Sequence, residues 1–469
     1  MLPTPKNLSV WPSVVPANKV SRIVICPNER AFLLFDGEEY TLRIMAVNSD
    51  DDYYKPKFDT LQVTPKDGVI AFDYAFGKEQ EYVLQLIYNE KLLQKFNLYA
   101  LDEDLYARTP LRGDLHTHSY RSDGRRDPAA LAGHYREQGF DFIALTDHNR
   151  YYPGGEIDET YAGVKSGFCR VIGEEIHAPQ ITVHVVHIGG SESVCEMYLT
   201  YRGAYEKEVA AYLEKLPADL PENYAERYAK LMWVSEKVHK VGGLAIFPHP
   251  FWRPSDRTYN VDAEFARRLL LSGMFDAYEL IGGMAPFENN CSVALWNDLR
   301  AEGLRLPVVG SSDTHVIENV RPFANYFTIA FAKANESEAI TDAVRAGMTV
   351  AVEACGEEYK RQYRAYGSYR LVVYSQFLLN HYFPLRQRMC QGEGYAMRAY
   401  AMGEAGAGLI EAEAEMTNDF RDRFFGRKAP ILPGEKIIAF EEKWRKIHIE
   451  KGPVTKGSDV DSVKITRQI

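Results

Sequence analysis

The chain has no stretch that approaches the ~18 consecutive apolar residues a membrane-spanning helix needs. Its first residues, MLPTPKNLSVWPSVVPANKV, lack a charged segment followed by an apolar core, so no signal peptide is expected. Cysteine is scarce: six thiols, at positions 26, 169, 195, 291, 355 and 390, with no C-x-x-C pair. That spacing excludes a disulfide framework and a thiolate zinc site. Buried, reduced cysteines in a cytoplasmic protein are the expectation. Long basic runs are absent too, and the net charge is −10. Electrostatic capture of an anionic membrane or of nucleic acid is therefore disfavoured, beyond a nucleotide or short oligonucleotide. There is no G-x-S-x-G elbow and no Cys–His pairing suited to nucleophilic catalysis. Neither a repeat of fixed period nor a low-complexity tract is present.

What is present is a chain of 469 residues, 46% hydrophobic and 26% charged, the composition of a soluble globular protein of two or three domains. Residues 1–108 alternate apolar and polar positions in RAFLLFDGEEYTLRIMAV, GVIAFDYAF and EYVLQLIYN, between Asp-Gly turns. This predicts a small β-sandwich. From 109 to 352 short apolar runs alternate with helical segments. Seven such runs stand out: LRGDLHTHS, FDFIALTDH, RVIGEEIHA, ITVHVVHIGG, GLAIFPHP, FDAYELIGG and LPVVGSSDTH. Strand–helix alternation of this kind predicts an α/β fold with a mostly parallel sheet, closed or nearly closed into a barrel. The third and fourth runs are so close that a hairpin-like irregularity is expected there. Segment 191–240 reads as two tyrosine-rich helices, and 353–469 as a mainly helical C-terminal extension.

Metal-type side chains fall at the ends of these runs: His116 and His118 with Asp123 after them, Asp147 and His148, Glu174 and Glu175, His184 and His187, His249, Glu279, and Asp313 with His315. Eight of the 12 histidines lie in the seven runs. In a parallel barrel these ends share one face. Alternate strand residues also share a face, so His116 and His118 point together, and the Asp313–His315 spacing repeats theirs. Imidazole and carboxylate donors without thiolate suit Zn, Mn or Fe rather than Ca or Mg. The donors outnumber one coordination sphere, so two or three divalent ions are expected, with one carboxylate bridging. Asp147 reads as a partner of a ligand or as a cap, and Glu279 as a ligand's partner or as structural. His134, His239, Arg150, Arg253 and Lys240 read as solvated surface.

These motifs, in this order, resemble the polymerase and histidinol phosphatase (PHP) metallohydrolase family over roughly residues 111–352. With the preceding sandwich, GDLHTHSYRSDG is similar to the family's CehA/McbA-type branch. The resemblance implies a distorted seven-stranded β/α barrel. It implies a first ion held by His116, His118, Glu175 and Asp313, a second by Glu175, His184 and His249, and a third by Asp123, His148 and His315. The family's G-x-E pattern selects Glu175 over Glu174 as the bridge, and its H-x-x-x-x-G spacing to Gly189 selects His184 over His187. Asp123, Glu175, His249 and Asp313 are the expected catalytic residues, with His249 or Asp313 able to relay protons. The expected activity is hydrolysis of a small phosphate ester or nucleotide through metal-bound hydroxide. Hydrolysis of carboxylic or carbamate esters or amides at the same site is the alternative, and a non-catalytic metal-stabilised binding protein is the third reading.

Overall fold

Alternation of apolar and polar residues turns the first hundred residues into strands, as strand Gln80–Tyr88 illustrates by burying Tyr82, Leu84 and Leu86 on one face. The structure is a computed structural model that describes residues 7–34, 36–52, 54–318, 323–356, 361–445, 447–451 and 463–467. It divides into two units. One comprises Asp104–Phe420, and the other the described residues of Pro3–Glu103 and Arg421–Ile469.

In the latter unit β1 (Leu8–Trp11), β3 (Val20–Pro27) and β6 (Ile70–Ala75) form a sheet in the order β1-β3-β6. A second sheet has the order β2-β8-β7-β4-β5, from β2 (Val14–Pro16), β4 (Tyr40–Ala46), β5 (Asp59–Val63), β7 (Gln80–Tyr88) and β8 (Lys91–Leu101). Ile23, Ile25 and Phe72 of one sheet share a core with Leu42, Leu84 and Leu98 of the other.

The larger unit is built on β9 (Thr109–Thr117), β10 (Phe142–Leu145), β11 (Cys169–His177), β12 (His184–Gly189), β13 (Gly243–Phe247), β14 (Ala277–Ile281), β15 (Val308–Gly310), β16 (Tyr326–Ala332), β17 (Thr349–Cys355) and β18 (Gln362–Tyr366). Each of the seven runs contains one strand, β9 to β15. The sheet nevertheless has ten strands rather than seven, in the order β15-β14-β13-β12-β11-β10-β9-β16-β17-β18. The extra strands extend the sheet from the free edge of β9, to which β16 hydrogen-bonds, with β17 on β16 and β18 on β17. Two of them, YFTIAFA and TVAVEAC, are almost wholly buried, and such short apolar runs read equally as strand or buried helix. The sheet is also mixed, because β12 is antiparallel to both β11 and β13, and β16 to β9.

Beyond β15 the chain returns to β9. His118 N donates to Thr314 O at 2.9 Å, and Asp313 N to His116 O at 3.0 Å. Thr117 and Thr314 form a parallel bridge. The buried Asp114 carboxylate reinforces this junction. It accepts from Ser312 N at 3.0 Å, His116 N at 3.2 Å and Tyr135 Oη at 2.9 Å, and burial pushes its pKa up to about 6.

Segment 191–240 forms three helices rather than two, Val194–Thr200, Arg202–Leu213 and Ala225–Lys240, because the backbone of Tyr201 breaks the first run at φ −118°, ψ 52°. Tyr198, Tyr205, Tyr224 and Tyr228 are buried there. The C-terminal region is helical over Tyr369–His381, Phe383–Ala401, Ala407–Phe424 and Glu435–Arg445. Helix Phe383–Ala401 packs on helix Pro128–Glu137, where Arg136 donates to the buried Glu393 carboxylate at 2.6 and 2.8 Å. Among the described residues no helix is long and apolar enough to cross a membrane.

Candidate metal centre

Strand ends place the donors. His116 lies near the end of β9 and His118 immediately follows that strand, while Glu175 lies near the end of β11. His184 opens β12. That strand runs antiparallel, so its first residue lies at the same edge as the last residues of β11, and His184 pairs with His177 across the ladder. His148, His249, Asp313 and His315 lie in the loops that follow β10, β13 and β15. Three turns here leave ordinary backbone space, with φ of 52° at Asn149, 25° at His249 and 52° at Asp313. Such left-handed non-glycine residues concentrate at functional sites.

All nine sequence-predicted ligands converge around Glu175. Their donor atoms form overlapping groups, within each of which the atoms lie inside 4.8 Å of one another. In the first, His116 Nε2 is 3.3 Å from both Glu175 Oε2 and Asp313 Oδ1. His118 Nε2 is 3.4 Å from Glu175 Oε2 and 3.0 Å from Asp313 Oδ1. Four tetrahedral donors at the ~2.0–2.1 Å typical of Zn would stand roughly 3.3–3.4 Å apart, so these edges match an ion of that size. In the second group, Glu175 Oε1 lies 2.7 Å from His184 Nδ1 and 3.3 Å from His249 Nε2. In the third, Asp123 reaches His315 Nε2 at 3.2 Å and His148 Nε2 at 3.3 Å, and His118 completes the group.

The donor atoms are unsatisfied in the way a cation would cure. His116 Nε2, His118 Nε2, His148 Nδ1, His184 Nδ1, Glu175 Oε2 and Asp313 Oδ1 are buried with no hydrogen-bond partner. Such groups are costly unless something else neutralises them. Exposure grades from floor to mouth: Glu175 is 1% exposed at its side chain, Asp313 31% and Asp123 53%.

Electrostatics follow the packing. Burial opposes charge on Glu175 and Asp313, yet the surrounding imidazoles hold both carboxyls well below their ordinary values, His184 and His116 foremost for Glu175 and His116 for Asp313. The reciprocal effect overcomes burial at His116, raised well above its usual value by Asp313 and Glu175. It also raises His148 to about 10, through Asp123 and Glu175. Burial prevails at His184, which falls to about 4.

Neighbouring groups hold these donors in place. Glu279, on β14, meets His116 Nδ1 at 3.0 Å, which leaves Nε2 aimed at the centre. Asp147 accepts from Ser119 N at 2.8 Å, Ser119 Oγ at 2.6 Å and Ser122 Oγ at 2.6 Å, so it anchors the loop that carries Asp123. Glu174 faces away from the centre. It pairs with His187 Nδ1 at 3.0 Å and accepts from Val194 N at 2.7 Å and Ser193 Oγ at 2.6 Å. Residues expected at the surface engage other partners: His239 meets Asp276 at 2.9 Å, His134 meets Glu137 at 3.4 Å, and Lys240 is exposed at the end of its helix. Arg150 donates to the backbone carbonyl of Arg121, and Arg253 Nε to that of Arg257 at 2.9 Å.

One residue at the centre escaped the sequence reading. His177 forms a group with His148 and Glu175. The signal was available, since Glu175 and His177 have the same i, i+2 spacing that singled out His116 and His118.

No family model and no curated protein matches the chain. Among solved structures it is similar to a two-domain protein from Bacteroides vulgatus containing a predicted PHP-like metal-dependent phosphoesterase, at 22% identity over 52% of this chain and 65% of that one, with a TM-score of 0.36. The chain thus spans less than two thirds of that protein's length. It is also similar to a candidate metal-dependent phosphoesterase from Bifidobacterium adolescentis, at 20% identity over 43% of this chain and 87% of that one, TM-score 0.32. A third likeness is to an amidohydrolase from Chromobacterium violaceum, at 19% identity, 44% and 89% coverage, TM-score 0.31. Similarity this low transfers neither fold nor activity, so a functional assignment has to stand on this chain's own residues.

Proposed function

We propose that the chain is a metal-dependent hydrolase of the polymerase and histidinol phosphatase type, with its catalytic part, residues 109–352, on a distorted barrel of β9 to β15. It acts in the cytoplasm on a small phosphate ester or nucleotide. The observation that supports this reading is the set of buried, unpartnered nitrogen and oxygen atoms that converge on Glu175. His116, His118, Glu175 and Asp313 would hold one ion, Glu175, His184 and His249 a second, and Asp123, His148 and His315 a third. Nitrogen and oxygen donors without sulfur suit Zn, Mn or Fe. When bound, such ions supply Lewis acidity toward phosphoryl oxygens and activation of water at neutral pH.

The chain's own residues divide the remaining work. His116, His118 and Glu175 form a floor closed to solvent, and Glu279 fixes the orientation of His116. Asp123, Asp313 and His315 stand at the open side, from which a substrate enters. Asp123 belongs to the outermost donor group alone, so it tunes turnover more than retention of the inner ions. No side-chain nucleophile is required.

The purified full chain, loaded with Mn or Zn, is expected to release phosphate from an aryl phosphate or a nucleoside monophosphate. Asp123→Ala should reduce turnover more than it reduces the content of the first two ions. Turnover of aryl acetates or carbamates with phosphate esters untouched would transfer the protein to the ester and amide hydrolases. Failure to take up any metal would remove the site assignment altogether.

A further inference from the structure

We propose that His177 is itself a metal ligand, acting with His148 and Glu175 at a position outside the three donor groups assigned above. The proposal rests on the metal-centre reading and extends it.

His177 is the last residue of β11 and shares a strand face with Glu175. Its Nε2 is buried without a hydrogen-bond partner, 3.8 Å from Glu175 Oε2. His148 Nδ1 lies 2.7 Å from the same oxygen, at ion-pair distance but without the geometry of a hydrogen bond. Donor atoms of the three residues lie within 4.8 Å of one another. Two imidazoles and a carboxylate form a donor set suited to Zn, Mn or Fe.

The main chain fixes the ring's location. His177 N donates to Asn149 Oδ1 at 2.9 Å, and His177 O accepts from Tyr198 Oη at 3.1 Å. Asn149 N donates to Glu175 O at 2.8 Å, which ties the three candidate ligands to one turn. The imidazole stacks on His184, with centroids 3.7 Å apart and planes at 19°, and lies 4.3 Å from His148. Packing alone does not account for the nitrogen. A phenyl ring would stack as well without burying an unpaired polar atom.

The arrangement has a consequence for how ions share the pocket. His148 presents Nδ1 to Glu175 and Nε2 to Asp123, at 2.7 and 3.3 Å. A neutral imidazole has one lone pair for coordination. His148 therefore serves either the outer group with Asp123 and His315 or the group with His177. The least tightly held ion gains two alternative positions, and His177 makes the inner one possible.

The test uses the full-length chain stripped of metal and titrated with Zn2+ alone, with affinities from calorimetry and bound metal from elemental analysis. His177→Phe keeps a ring stacked on His184 and removes the ligating nitrogen. The expected result is an affinity of the weakest-bound ion lowered roughly tenfold or more, a loss of the size that disturbing a ligand's support produces, with the tighter ions unchanged. Unchanged stoichiometry and affinities in His177→Phe would overturn the role of His177 and leave the metal centre standing. No uptake by the unsubstituted chain would overturn both. Should His177→Phe not fold, the unsubstituted chain decides: diethyl pyrocarbonate modification, mapped by mass spectrometry, is expected to slow at His177 and His148 on Zn2+ loading. Protection of His148 with none at His177 refutes the proposal.

Discussion

Adjacent glutamates with opposite duties show how much one residue's register matters here. Glu175 faces the cluster, whereas Glu174 faces His187, Ser193 and Val194 N. Glu175→Gln is expected to lose metal and activity together, because an amide cannot offer two anionic oxygens; elemental analysis beside a phosphatase assay checks it. Glu174→Gln should keep metal but lower stability by about 1–3 kcal/mol, since an amide NH2 would meet donors that now find an acceptor. Urea denaturation measures that loss. A second residue-scale expectation concerns protons. The carboxylates raise His148 to about 10 and shift His116 in the same direction, so both are biased toward the protonated form in the metal-free cluster. Imidazolium does not ligate, so loading must release those protons, and apparent affinity must rise with pH across the neutral range. Calorimetry in two buffers of different ionisation enthalpy should give a positive proton release. A pH-independent affinity would show that these imidazoles are already neutral.

At the scale of elements, helix Pro128–Glu137 and helix Phe383–Ala401 approach so closely that only glycine fits between them. A Cβ on Gly394 would fall on the backbone of Glu137 and Gly133. In an isolated helix, alanine is preferred to glycine by roughly 0.5–1 kcal/mol. Overpacking at a backbone contact costs about 1–3 kcal/mol and outweighs that preference. Gly394→Ala should therefore lower the melting temperature, and a thermal scan decides the sign. The same helix pair buries Arg136 against Glu393, and Arg386 of its second helix meets Asp141 just before β10, so separating the helices also leaves charges poorly paired.

For the whole molecule, every proposed ligand lies in the unit Asp104–Phe420 and none in the sandwich unit. Ions that bind only the folded state stabilise it, by about 2.7 kcal/mol at a hundredfold excess over Kd. Calorimetric scans with and without chelator should move the transition of the larger unit and leave that of the sandwich where it was. A common shift of both would mean that the two unfold as one cooperative body. Within the sandwich unit, Ser13 N donates to Phe424 O at 2.9 Å and Arg423 lies over the Trp11 ring. Ending the chain at Phe420 is thus expected to destabilise the sandwich, as a lower urea midpoint would report.

Much of the candidate centre was legible because its information is local. His-x-His at the end of β9 was readable from strand periodicity. Asp-x-His after β15 was readable only as a repeat of that spacing, because the chain there has left the strand. Strand alternation marked both the sandwich and the runs of the larger sheet. What stayed hidden depends on pairs remote in the chain. Glu279 finds His116 across 163 positions, β16 takes the free edge of β9, and Gly394 meets Gly133 only when two helices dock. Whether Glu279 orients a ligand or merely fills space has no local signature. His177 lies between these cases: its spacing from Glu175 was readable, but its stacking on His184 arises only from the antiparallel turn of β12. Sequence by itself determined most of the side chains that stand as candidate cation donors, and for those within a strand the face they share, because the geometry of one strand sets that. Tertiary structure decided which donor atoms approach one another, turned Glu175 toward the cluster and Glu174 toward His187, and left particular buried atoms without a hydrogen bond. Those depend on desolvation and on distances between segments that no short-range pattern encodes.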